Sequence, residues 1–163
     1  MAEQSSKIIR VGSRASRLAR LQVEEIESLL KAQGITVHFE KIHFETQGDR
    51  DKVTPLTQSV DNFFTDTLDR ALLDGKIDIA IHSAKDLPQN FHPRLKIFAL
   101  TQGVDDTDAF VGKTSFQSLK PGSKVGTSSF IRQKNIKQLR PDVVAVDIRG
   151  TIEERLKFLD EGR

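Results

Sequence analysis

The chain has no cysteine, tryptophan or tyrosine in its 163 residues. Without cysteine there is no disulfide, no thiolate metal site, no thiol nucleophile and no way to tether a cofactor through this chain's own sulfur. Without tryptophan and tyrosine, any aromatic platform has to come from the ten phenylalanines. Neither sign of charge dominates: 25 Lys and Arg stand against 23 Asp and Glu, a formal charge of +2. That near balance, with no basic run, is not the footprint of a nucleic-acid binder. No apolar run is long enough to cross a bilayer. The first seven residues contain no hydrophobic core of a signal peptide, so a cytoplasmic setting is expected. What is present is ample core material: 37% of the residues are hydrophobic and 29% charged, the balance of a folded chain.

Hydrophobic periodicity places the elements. Ile8-Ile-Arg-Val-Gly12 reads as a β-branched strand. Leu18, Leu21, Val23, Ile26, Leu29 and Leu30 recur at helical spacing, predicting a helix over 16–33 stopped by Gly34. Val37 to Phe44 predicts a second strand, residues 46–60 a polar loop, Phe63 to Leu72 a helix ended by Gly75, and Ile77 to Ile81 a third strand. Strand, helix, strand, helix, strand is the grammar of an α/β fold. After Pro93 the pattern restarts. Leu95, Ile97 and Ala99 alternate, and Ala109-Phe-Val111 reads as a short strand. Val125-Gly-Thr-Ser-Ser129 then repeats the opening Val11-Gly-Ser-Arg-Ala-Ser16, before a strand over 143–148 and a helix from Thr151. The expected organisation is two α/β lobes that start alike, 1–100 and 101–163, the second small for an independent core.

Four segments carry chemistry. Two are the glycine–hydroxyl turns, with Ser13, Arg14 and Ser16 in the first and Thr127, Ser128, Ser129 and Arg132 in the second. Each precedes a helix, where unpaired N–H groups and the dipole favour an anion. The same hydroxyls also suit plain helix capping, and the sequence leaves both readings open. In the third, an apolar strand runs into His82, Ser83, Lys85 and Asp86. Ligands in open α/β sheets bind beyond strand ends, so Asp86 stands where a catalytic carboxylate would; a solvated Lys–Asp turn is the other reading. In the fourth, Arg149 ends a strand and Arg155 follows on a helix, either as carboxylate forks or as a solvated face. Gly112-Lys-Thr114 lacks the first glycine of a phosphate loop. The four histidines show no metal-ligand spacing, so no metal site is expected.

Taken together, the chain resembles the porphobilinogen deaminase (hydroxymethylbilane synthase) family. The matching text is I-R-V-G-S-R-A-S-R-L-A (9–19), D-I-A-I-H-S-A-K-D-L-P (78–88), D-D-T-D-A-F-V (105–111), V-G-T-S-S-F-I-R-Q (125–133) and I-R-G-T-I-E-E-R-L (148–156). The resemblance implies an enzyme of tetrapyrrole and haem biosynthesis, a transferase that condenses four porphobilinogen units with loss of ammonia. It implies two lobes of the type II periplasmic-binding-protein kind with the site in the cleft between them. A dipyrromethane cofactor would hang from a cysteine of a third domain. Asp86 matches the family's catalytic aspartate. Arg14, Ser16, Ser83, Lys85, Thr127, Ser129, Arg132, Arg149 and Arg155 match residues that hold cofactor and substrate side chains. Against that pattern the second lobe is expected to be incomplete in these 163 residues, with the third domain and its cysteine outside them. This chain alone is therefore expected to be inactive, and its exposed surface to make it associate, although the family is usually monomeric.

Some positions depart from the family. Ile131 stands where the family has a second arginine before Arg132, Gln47 where many members have Arg, and Thr151 where Asn is common. Val60-Asp-Asn-Phe-Phe-Thr-Asp-Thr67 replaces a loop that carries two lysines. These losses keep a second possibility open: a two-lobed polycarboxylate-binding module without chemistry.

Overall fold

In the computed structural model, residues 8–51, 62–103 and 105–162 are described. They fall into two compact units, one holding residues 8–51 and 62–98, the other 99–103 and 105–162.

The first unit is built on β1 (Ile8–Arg14), whose β-branched residues suit a strand buried on both faces. β1 pairs in parallel with β2 (His38–Phe44), from Ile8 opposite His38 to Arg14 opposite Phe44. On its other side it pairs in parallel with β3 (Ile79–Ala80), Val11 opposite Ile79. Parallel neighbours need a long crossover, and α1 (Arg17–Ala32) supplies it between β1 and β2. Successive strand residues point to opposite faces. Val11 packs with Val23 of α1 and with Phe39. Gly12 instead lies under Ile77, Phe44 and Leu68, where a Cβ would come within 2.4 Å of the Ile77 side chain. Leu68 and Ala71 are the buried residues of α3 (Asp66–Leu73), which contacts β1 and β3. Between β2 and α3 lies a single turn of helix, α2 (Gln47–Arg50).

The second unit has the same grammar with fewer parts. β4 (Lys124–Gly126) and β5 (Val144–Val146) form a two-stranded parallel sheet, with α4 (Phe130–Leu139) between them and α5 (Ile152–Asp160) after. Its buried apolar residues are Val125 and Val143. Phe130, Ile131 and Leu139 of α4 stay about 70% exposed, at 69%, 69% and 71%. Hydrogen bonding does part of the holding. Arg140 donates to the carbonyls of Phe116 (2.8 Å), Gln117 (2.9 Å) and Leu119 (2.7 Å), and its Nε meets Asp142 at 2.8 Å.

The α/β class expected from the sequence is what forms. The short strand expected at Ala109–Val111 does not form, and the alternating Leu95–Ala99 segment forms none either. An alternating segment becomes a strand only by pairing, and neither has a ladder partner among the described residues. Ile97, Leu100 and Val111 are accordingly exposed. The third strand is shorter than expected, Ile79–Ala80, although the flanking Asp78 and Ile81 still donate to the Arg10 and Gly12 carbonyls of β1 at 2.9 Å each. The polar loop expected over 46–60 contains α2, and its residues 52–60 lie outside the described ones. Among the described residues no helix is long and apolar enough to cross a membrane.

Candidate functional site

In the first unit the site grows from the carboxyl end of β1. Ser13, the last fully buried side chain of that strand, has its Oγ 2.9 Å from His43 Nδ1 and is turned into the sheet. Arg14, its neighbour, faces the other way. Its Nε donates to Asp49 Oδ1 at 3.0 Å, its Nη2 also bonds Asp49, and its Nη1 lies 3.3 Å from Asp86 Oδ2. The guanidinium carbon sits 4.3 Å over the centre of the Phe64 ring, a cation–π contact. Arg14, Asp49 and Asp86 are each only about a fifth exposed, with side chains at 22%, 18% and 19%.

Asp49 arrives there through local structure. It is the third residue after Thr46 in a capping box, and its Oδ2 accepts the Thr46 N–H at 3.0 Å and the Thr46 hydroxyl at 2.8 Å. Burial by itself would raise its carboxyl, but the bonds from Arg14 and Thr46 outweigh burial and hold it below the ordinary carboxylate value. Gly48 keeps the segment close: it bonds the Phe63 carbonyl at 2.8 Å, and a Cβ there would enter the Phe64 ring at 2.2 Å. Phe64 is thus pinned under Arg14.

Asp86 closes a 3₁₀ turn, Ala84–Asp86, that begins just past β3. Ser83 accepts a hydrogen bond from Gln22 of α1 at 2.8 Å, and Lys85 is exposed. His82 is partly buried. Burial pushes its imidazole below the usual value; Asp69 and Asp86 oppose that, and Arg14 adds to it. Ser16 is the N-cap of α1, its Oγ accepting the Ala19 N–H at 3.3 Å.

The second unit repeats the layout with different chemistry. Thr127 is buried, and its Oγ1 accepts the Ser129 N–H at 3.2 Å. Ser129 caps α4 through the Arg132 N–H at 3.4 Å. The hydroxyls of Ser16, Thr127 and Ser129 therefore serve their own turns, and the capping reading holds for the side chains themselves. Arg132 pairs with Asp108 at 2.7 Å, both half exposed. Gly150, at φ +109°, turns the chain from Arg149 into the Thr151–Glu154 capping box of α5. That turn delivers Arg155, whose Nε donates to the Gly150 carbonyl at 2.9 Å and whose Nη2 reaches Ser128 at 3.5 Å. Burial, then repulsion from Arg149 and Arg132, lowers the Arg155 guanidinium below its ordinary value, with Asp147 opposing. Partly desolvated cations that crowd one another are stabilised by an anion set among them.

A family model described as "Porphobilinogen deaminase, dipyromethane cofactor binding domain" matches residues 9–163. The chain belongs to the porphobilinogen deaminase family. It is 38% identical over 155 residues to "Porphobilinogen deaminase" of Pelobacter propionicus, covering 94% of this chain and 50% of that protein. "Porphobilinogen deaminase" of Caldicellulosiruptor saccharolyticus is 38% identical over 161 residues, covering 94% and 54%. "Probable porphobilinogen deaminase" of Picrophilus torridus is 38% identical over 155 residues, again covering 94% and 54%. The chain thus spans about half the length of the curated relatives it matches.

Of the residues the family resemblance marks, the structure brings Arg14 and Asp86 together in the first unit, and Arg132, Arg149 and Arg155 into one electrostatic neighbourhood in the second. Sequence reasoning missed Asp49, Phe64, Gln22 and Asp108 as partners. For Asp49 a signal was present: Thr46-x-x-Asp49 is a capping-box pattern. The other three contacts join residues far apart in the chain, and no local pattern pairs them.

Proposed function

We propose that this chain carries the carboxylate-holding groups and the catalytic aspartate of a porphobilinogen deaminase (hydroxymethylbilane synthase). In this reading residues 1–100 and 101–163 are two lobes of the type II periplasmic-binding kind, at work in the cytoplasm. The observation that carries it is the placement of Arg155, partly buried and bound to the Gly150 carbonyl at 2.9 Å and Ser128 at 3.5 Å, with Arg149 and Arg132 close enough to repel it. Porphobilinogen bears an acetate and a propionate, so a growing pyrrole chain is a polycarboxylate that such cations suit. Dipyrromethane carries side arms of the same kind, so the guanidinium and hydroxyl donors of this chain fit it. The thioether would be made by a cysteine that these 163 residues do not hold. When bound, that cofactor supplies the pyrrole carbon to which the first porphobilinogen is joined.

Asp86 is the carboxylate for the chemistry. Loss of ammonia from porphobilinogen leaves a cationic azafulvene, and an ionised Asp86 in a water-poor setting stabilises that charge. After the new carbon–carbon bond forms, the same Oδ takes the proton leaving the pyrrole carbon. Arg14, Lys85, Arg132, Arg149 and Arg155 hold carboxylates, while Ser16, Ser83, Thr127 and Ser129 shape the turns that present them.

The test is porphobilinogen consumption and ammonia release by the gene product as isolated from its source, wild type against Asp86→Asn. Asp86→Asn is expected to lower kcat by about 10²–10³ without raising KM. One observation favours the other reading: Ile131 is 69% exposed and apolar beside Arg132, so one guanidinium fork is lost. A wild-type protein that binds porphobilinogen without consuming it would overturn the enzyme reading in favour of a polycarboxylate-binding module.

A further inference from the structure

Arg14 serves two carboxylates through different edges of its guanidinium, and the two contacts are unequal. The Nε and Nη2 edge belongs to Asp49, which is itself fixed by the Thr46 N–H at 3.0 Å and the Thr46 hydroxyl at 2.8 Å. The Phe64 ring supports the flat face from 4.3 Å. The remaining edge, Nη1, meets Asp86 through one contact at 3.3 Å, longer than an ordinary charge-assisted bond. Asp86 sits on a single 3₁₀ turn tied back by its own N–H to the Ser83 carbonyl at 2.9 Å. So the guanidinium is clamped, and Nη1 is the edge at which one carboxylate can replace another.

We propose that Arg14 is a carboxylate-exchange point: a ligand carboxylate displaces Asp86 from Nη1, and Asp49 is the positioning residue that keeps the guanidinium from following Asp86. The idea rests on the reading of Arg14 and Asp86 given above and adds coupling to it. A carboxylate tied to an arginine is a poor partner for a developing cation, because its charge is already answered. Exchange frees that charge at the moment a ligand arrives. Ligand seating and exposure of the catalytic carboxylate then become one event, and Asp86 is the internal competitor the ligand must beat.

Competition is measurable on the 163-residue chain with glutarate as probe, titrated at constant ionic strength and followed by NMR. Removing the competitor in Asp86→Asn is expected to tighten glutarate binding by about threefold or more, since the binding-competent fraction rises. Asp49→Asn is expected to weaken it, Asp49→Glu to restore part of the loss, and the gain from Asp86→Asn to shrink in the Asp49→Asn background. In the wild type, glutarate should shift the Asp86 side-chain carboxyl carbon resonance, an effect that needs no variant to fold. Arg14→Gln should abolish that shift and the binding read from first-unit resonances, the binding meant throughout this test. If Asp86→Asn binds glutarate no more tightly than wild type while Arg14→Gln still abolishes binding, exchange is wrong and the anion site stands. If Arg14→Gln changes nothing, or wild type and Asp86→Asn both fail to bind, the anion site itself is wrong and exchange falls with it.

Discussion

The two units start from the same phrase, a short strand, a glycine, hydroxyls and a helix, and dress it in opposite ways. In the first, the strand-end arginine is answered: Arg14 has two aspartates and an aromatic ring. In the second, Arg155 has arginines for neighbours: burial, then Arg149 and Arg132, depress it with Asp147 opposing, and Arg132 also pairs with Asp108. The packing differs in the same direction. Val11, Val23 and Leu68 are essentially inaccessible in the first unit, whereas the second buries Val125 and Val143 and leaves most of α4's apolar residues in solvent. A shared backbone grammar therefore sets where charged groups stand, and the side chains packed around it decide what each arginine meets.

The largest expected effect tests the packing half of that contrast. Leu68→Ala, at a side chain with no exposure, should cost the first unit about 2–5 kcal/mol. Val125→Ala in the second unit should cost less, about 1–2 kcal/mol. Hydrogen exchange read separately for amides of β1 and β4 would measure both, and in the wild type β4 should exchange faster. Equal protection of β1 and β4 would break the comparison.

A smaller effect tests the charge half. All four histidines lie between residues 38 and 92, in the first unit. His82 is depressed by burial first, and His43 by burial first and then by Arg20 and Lys41. A depressed folded value means that the unfolded chain binds the proton more readily. Stability is then full above the ordinary histidine value near 6.5 and falls as pH drops through it toward the folded values. The first unit should lose stability between about pH 7 and pH 5 while the second stays flat. A His82→Gln variant should reduce that slope, as urea melts at stepped pH would show.

How much of this was legible beforehand follows from range. Helix α1 was expected over 16–33 and spans Arg17–Ala32, because its apolar residues recur along one face and Gly34 stops it. β1, β2 and the capped start of α5 at Thr151 were readable for the same local reasons. Pairing was not readable. Ala109–Val111 has strand composition and no neighbour to make it one. The candidate site was half visible. Strand ends marked Arg14, Asp86 and Arg149, but the Arg14–Asp49 pair joins residues 35 apart, and only the fold brings them together. Nor could spacing show that Thr127 and Ser129 spend their hydroxyls on their own turn.

The central claim is that both strand ends hold ligand carboxylates, one through a clamped arginine and one through a crowded set. Porphobilinogen titrated into the chain, with arginine side-chain resonances followed by NMR, tests it most directly. At low salt the account predicts shifts at Arg14 and at Arg149 and Arg155 together, fading as salt is raised because the contacts are charge-driven. Shifts confined to one unit, or shifts in both that salt leaves unchanged, would contradict it.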